Sequence, residues 1–162
     1  MAYTFPMEHQ AETDWCWNAV AVSVEHYFDP HSTMTQQQFA VRALNKPLAQ
    51  ANQPWYLSKA LADLNKLNGN PQGYMKFADI QKQLDLNLPV CVHIDWNEGG
   101  SHFVVISGYA LSPGGNAQVY VSDPILQDSN VVLWDYQAFV AAYSPRYTHA
   151  EGTWVESCLV KP

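Results

Sequence analysis

Three side chains in this sequence could together break an acyl bond: the thiol of Cys16, the imidazole of His102 and the carboxyl group of Asp123. Cys16 lies in the stretch Gln10-Ala-Glu-Thr-Asp-Trp-Cys16-Trp17, at the point where a helical pattern begins. A helix N-terminus presents unpaired amides and about half a positive charge, which favours the thiolate, the nucleophilic form of cysteine. His102 follows Gly99-Gly100-Ser101 and opens an apolar run, and Asp123 stands before Pro124 at the end of another. Each residue alone has an ordinary reading: a Cys packed beside two Trp, a structural His at a strand end, a turn Asp. Jointly they are a nucleophile, a base and an orienting carboxylate. Gln10, six residues before Cys16, adds a side-chain amide that, with the Cys16 backbone N–H, could hold the oxyanion of a tetrahedral intermediate.

Other groups read differently. Cys91 and Cys158 sit in apolar alternating runs and read as buried small hydrophobes. Three cysteines make no disulfide framework, and no paired-Cys spacing suggests zinc. His93 and Asp95 share one strand face, and with His102 they are the sole candidate metal set, a weak one. No metal or cofactor is expected. His9 is a cleft-lining candidate. His26, His31 and His149 read as helix-end or loop residues. Trp15, Trp17, Trp55, Trp96 and Trp134 read as core or cleft walls, with Trp15 or Trp17 as candidates to shield the His102 ring. Residues 1–41 carry Glu8, Glu12, Asp14, Glu25 and Asp29 and no Lys or Arg. Such a neighbourhood opposes a thiolate, favours a protonated His102 and predicts an acidic cleft suited to cationic substrate segments.

To bring these groups together, the chain must fold helices first and strands second. Apolar spacing predicts a helix over residues 16–28, closed by Asp29-Pro30. A second starts at Thr35, whose spacing to Gln38 has the form of a capping box, and runs to about Leu44. A third is expected over about 54–67, opened by Pro54 and closed by Gly69, and a fourth over about 77–85. Beyond residue 88 the period shortens to that of strands: 90–95, 101–109, 118–122, 130–134 and 153–160, with a short helix over about 135–143. The meander-like spacing predicts a mainly antiparallel sheet. The fold class is α+β, one domain over 1–162, with a helical half (about 1–88) and a sheet half (about 89–162) packed as two layers. A hairpin through 110–117 would bring His102 and Asp123 to the same sheet end.

Composition excludes several function classes. Apolar residues make up 48% and charged residues 14%, the opposite of a disordered chain. The net charge of −7 leaves no basic footprint for nonspecific nucleic-acid binding. No stretch approaches the roughly 20 apolar residues of a membrane span. The first basic side chain is Arg42, so the usual basic start of an export signal is missing. A cytoplasmic protein, or one delivered by a dedicated machine, is expected.

Gln10, Cys16-Trp17, then His102, then Asp123 in Val-Ser-Asp-Pro resemble, in order and spacing, the signature of papain-like cysteine peptidases. The second half, from SHFVVISGY through VYVSDP, is closest to the branch holding the bacterial peptidases that trim double-glycine leaders and related papain-fold effectors and toxins. The resemblance covers about residues 5–160. It implies a papain-like fold and acyl transfer through a thioester. It implies Cys16, His102 and Asp123 as the catalytic set and Gln10 as oxyanion donor. It also implies a peptide or protein substrate and, for an effector or toxin, a cognate inhibitor or immunity protein. The longer elaborations of eukaryotic relatives and a transporter domain are both absent, so neither substrate pockets nor export carries over. A deamidase or transglutaminase-like enzyme would use the same residues on glutamine side chains, and a noncatalytic papain-fold binding module would use none of them.

Overall fold

A computed structural model of the chain describes residues 4–127, 131–145 and 150–162. Helices α1 (Cys16–Phe28), α2 (Gln36–Leu44), α3 (Leu57–Asp63) and α4 (Phe77–Asp85) precede strands β1 (Val90–Trp96), β2 (Ser101–Leu111), β3 (Ala117–Ser122) and β4 (Val131–Asp135). Helix α5 (Tyr136–Ala142) and strand β5 (Gly152–Leu159) complete the order. The sheet runs β4-β3-β2-β1-β5, and every neighbouring pair is antiparallel. The first four strands form the expected meander, and β5 returns to the free side of β1. The α+β class and the helices-then-sheet order are those the sequence predicts.

Local chemistry explains most of the element boundaries. The Thr35 hydroxyl accepts from the Gln38 N–H while the Gln38 side chain accepts from the Thr35 N–H, so the capping box is complete. Asp135 caps α5 through the Ala138 N–H. Helix α3 is shorter than expected. It begins after Tyr56 rather than at Pro54, and the chain leaves it at Asn65, whose φ of 57° is left-handed. The Lys66 N–H then reaches back to the Leu61 carbonyl, a helix-ending bond that forms well before Gly69. Leu67 goes instead into a bridge with Val160.

The layer count also differs. Alternate residues of β1 and β2 feed two cores on opposite faces of the sheet. Cys91, Phe103 and Val105 pack with α1, α2 and α3, while Val92, Ile94, Val104 and Ile106 pack with Ile80 and Leu84 of α4 and Phe139 of α5. The sheet is therefore covered on both faces, giving three layers rather than two. Among the described residues, no helix is long and apolar enough to cross a membrane.

Candidate active site

Helix α1 starts at Cys16, and Trp15, in the N-cap position, has no side-chain oxygen to occupy the first-turn amides. Cys16, which is half-buried, is the first residue of the helix, at the end where the unpaired amides and the positive end of the helix dipole lie. Asp14, the residue with the best capping chemistry nearby, is held outside the helix because its N–H donates to Asn52 Oδ1 at 3.0 Å.

His102 enters from β2. The turn before it uses left-handed φ angles at Gly99 and Gly100, 96° and 87°, which bring β2 back antiparallel to β1. On the other side, β2 pairs with β3 so that Val105 opposes Ser122. Continuing that register puts His102 and Asp123 on one face as diagonal neighbours. His102 Nε2 and Asp123 Oδ1 are 2.9 Å apart, both residues being buried. The turn reading of Asp123 is also correct: Oδ1 accepts the Ile125 N–H at 3.0 Å across Pro124. The second carboxylate oxygen accepts the Tyr143 hydroxyl at 2.5 Å. Nε2 thus serves Asp123, and Cys16 is close enough to His102 to act on the charge of its ring.

Burial is the largest single influence on His102 and pushes the ring toward neutrality. Hydrogen bonds with Asp123 and Cys16, and the negative charge each can carry, together outweigh it and raise the imidazole pKa to about 10. The ring is therefore an imidazolium near neutral pH. Trp96 stacks on it at 5.7 Å and 16°, placing an electron-rich face against the cation.

Gln10 is tied to the same locus. Its N–H donates to the Pro124 carbonyl at 2.8 Å, one residue beyond Asp123. On either side, Gln36 fixes the backbone: its amide donates to the His9 carbonyl at 2.9 Å and accepts the Ala11 N–H at 3.0 Å. The Gln10 side chain lines the cleft, but its Nε2 donates to the carbonyls of Glu12 and Thr13, both at 2.9 Å, where the sequence led us to expect a donor aimed at the cleft.

The cleft over Cys16 and His102 has a volume of about 520 Å³. Trp17, Trp55, Trp96, Phe103 and Ile125 give it largely aromatic and apolar walls. Among the N-terminal acids only Asp14 lines it. Glu8 pairs with His26 at 2.9 Å, Glu25 with Lys66 at 3.6 Å, and Asp29 accepts the His31 N–H. The acidic cleft read from the sequence thus reduces to one carboxylate. His9 is exposed and is not a lining residue, and His149 lies outside the described residues.

Two further expectations change. Trp15 and Trp17 do not shield His102; their indole N–H groups donate to the carbonyls of Ala51 and Gln53, anchoring α1 to the 51–53 segment, and Trp96 takes the shielding position. The weak metal set is split. His93 opposes Phe103 and Ile94 opposes His102, so His93 and His102 lie on opposite faces, and His93 pairs with Asp95 at 3.1 Å. Tyr143 was not foreseen, since it lies twenty residues beyond Asp123 with no motif around it.

The other two thiols are chemically distant from this site. Cys91 and Cys158 oppose each other across β1 and β5 and are buried. Burial pushes both up, Cys91 well above its ordinary value and Cys158 to about 12. Iodoacetamide near neutral pH is therefore expected to alkylate Cys16 well ahead of either, as read by peptide mass mapping. Equal labelling of all three would remove the distinction drawn here.

Comparison with known proteins bears on the family and the fold. Residues 1–143 match the family described as papain-like cysteine protease AvrRpt2. The crystal structure of a C39-like peptidase from Bacillus anthracis shares the fold, with a TM-score of 0.59 and 15% identity over 98% of this chain and 96% of that one. No curated protein matches the chain. With the family match spanning the helices and all but the last strand, the chain belongs to the AvrRpt2 family of papain-like cysteine proteases.

Proposed function

We propose that the protein hydrolyses peptide bonds with Cys16 as nucleophile, His102 as proton carrier, Asp123 as orienting carboxylate and Gln10 as oxyanion donor. The observation that carries this reading is the buried imidazole held at 2.9 Å by Asp123, with His102 and Cys16 lining one open cleft. Cys16 Sγ attacks the carbonyl carbon, and the developing oxyanion turns toward the Cys16 N–H and the Gln10 amide. The His102 imidazolium gives its Nδ1 proton to the leaving amine as the C–N bond breaks and a thioester forms. The neutral ring then takes a proton from water, which attacks the thioester and releases the acid and the thiolate. Asp123 stays ionised throughout and keeps the ring in plane.

Gln10 joins by a local change. Its Nε2 carries two hydrogens, held in the resting site by the Glu12 and Thr13 carbonyls. A charged oxyanion is a stronger acceptor than either carbonyl, and hydrogen bonds of catalysis commonly tighten only once substrate is bound. Replacing Gln10 with Ala is expected to lower kcat by about 100-fold while leaving measurable turnover, because the backbone donor remains. Full activity in steady-state assays of that variant would remove Gln10 from this role.

An effector, toxin or processing protease acting on protein chains is the biological setting we infer, a setting that allows for a cognate inhibitor protein. Incubation of a cell lysate with the wild-type enzyme or the Cys16→Ala variant, followed by N-terminal proteomics, tests the reaction class. New N-termini confined to the wild-type sample support hydrolysis. Ammonia release without new termini would instead make the enzyme a deamidase built on the same residues.

A further inference from the structure

We propose that Tyr143 is a positioning residue for this site, acting through Asp123; the proposal rests on the catalytic reading above. Its hydroxyl donates to Asp123 Oδ2 at 2.5 Å, while Oδ1 serves His102 at 2.9 Å and the Ile125 N–H at 3.0 Å. Each carboxylate oxygen therefore has its own partner, and rotation of the carboxylate would break bonds at both ends. Such a carboxylate is an anion of fixed orientation rather than a rotating one, and a fixed one is what a mobile imidazole needs.

The packing around the tyrosine points the same way. Trp96 meets both rings: it stacks on His102 at 5.7 Å and 16°, and on Tyr143 at 6.2 Å and 16°. His102, Asp123, Tyr143 and Trp96 thus close a loop, with hydrogen bonds on two sides and ring stacking on the other two. They come from four separate places: β2, the turn after β3, the end of α5 and the end of β1. Tyr143 is 1% exposed and packs edge-on against Phe139 at 5.2 Å. Its backbone is locked by paired hydrogen bonds with Gly152, at 2.8 and 2.9 Å. Gly152 is there for space: a Cβ at that position would collide with the Ile94 side chain and lie 2.7 Å from Trp96 Cε3. The close approach of β5 to β1 is what lets Trp96 and Tyr143 lie parallel. A phenylalanine at 143 would fill the same volume, so packing alone gives no account of the hydroxyl.

The test is Tyr143→Phe, which removes one oxygen. Under the proposal kcat falls about tenfold with KM changed less than about twofold, because the lost bond orients a catalytic group and touches no substrate. The downfield ring N–H resonance of the His102–Asp123 hydrogen bond, read by proton NMR, shifts or broadens. In an Asp123→Ala background the same change has no further effect on kcat, since the side chain that accepts the hydroxyl is already gone. Phe139→Leu, which loosens the same packing and spares the hydroxyl, leaves the resonance in place. An unmoved resonance in Tyr143→Phe, an additive loss in the Asp123→Ala background, or an equal shift in Phe139→Leu would each overturn the proposal. The resonance reads the hydrogen bond whether or not the protein turns over substrate. Undiminished turnover by Cys16→Ala would therefore sink the catalytic reading by itself and be told apart from a failure here.

Discussion

Replacing Cys16 with Ala is expected to abolish peptide hydrolysis, lowering kcat by at least about four orders of magnitude while the fold is retained. The size follows from what the sulfur does. Without it no thioester forms, and the remaining groups can only polarise a carbonyl and guide a water molecule to it. In the proposed mechanism His102 carries a proton for the sulfur, and with an apolar methyl group there it has nothing to exchange with. The fold should tolerate the change. Cys16 is half-buried at the first position of α1, alanine is the best helix former, and the neighbouring anchors are the Trp15 and Trp17 indoles rather than the thiol. Cleavage of a protein substrate, followed by gel or mass spectrometry, checks this against circular dichroism of the same sample. A well-folded Cys16→Ala protein that still cuts would show that another nucleophile is at work. Cys91 is not placed to supply it: it is wholly buried on the α1 side of β1 and its thiol is held strongly protonated.

The parts of the molecule legible in the sequence were those fixed by local chemistry. Helix α1 begins at Cys16 and ends at Phe28 because its apolar spacing and the Asp29-Pro30 stop are both local signals. The Thr35–Gln38 box and the Asp135 cap are local as well. The approach of His102 to Asp123 is long-range, yet it was readable because one hairpin sets the register between two adjacent strands. What failed to show depends on which elements share a face. The uninterrupted apolar run from Phe103 to Ile106 is itself the mark of a strand covered on both sides, and read that way it would have given three layers. The apolar stripe of helix α3 continues in sequence through Leu64 and Leu67, beyond the point where the helix ends. Asn65, a residue that tolerates a left-handed backbone, was the counter-signal. Six Trp residues are equally good shields on composition alone. Only the antiparallel return through Gly99-Gly100 puts Trp96, and not Trp15 or Trp17, over the His102 ring. The acids near Cys16 in sequence were misleading for a similar reason: Glu8 and Glu25 are spent on His26 and Lys66, away from the cleft.

Asp123→Asn carries the second large effect, and here the pH dependence tells more than the rate. An asparagine keeps the shape of the side chain and can still accept from the Tyr143 hydroxyl or the His102 ring, but it brings no negative charge. Removing that charge leaves burial, which favours the neutral ring, opposed mainly by Cys16. The imidazole pKa must then fall from about 10 toward or below its ordinary value of 6.5. In the wild type the His102 imidazolium survives well above neutrality; if it protonates the leaving amine as proposed, the alkaline limb of kcat/KM is expected in the region of pH 10. In Asp123→Asn that limb should move down by several pH units, and kcat near neutral pH should drop by about three to four orders of magnitude. Stability shifts in the same sense. A proton that the folded state holds to about pH 10 and the unfolded state releases near 6.5 stabilises the fold fully below 6.5, and that contribution is lost as pH rises from there to about 10. The wild type should therefore lose thermal stability across that interval on account of His102, and Asp123→Asn should lose less. Rate profiles and melting curves taken over the same pH range measure both. A variant with a reduced rate but an unmoved alkaline limb would mean that Asp123 supports the fold around His102 without setting the charge on its ring.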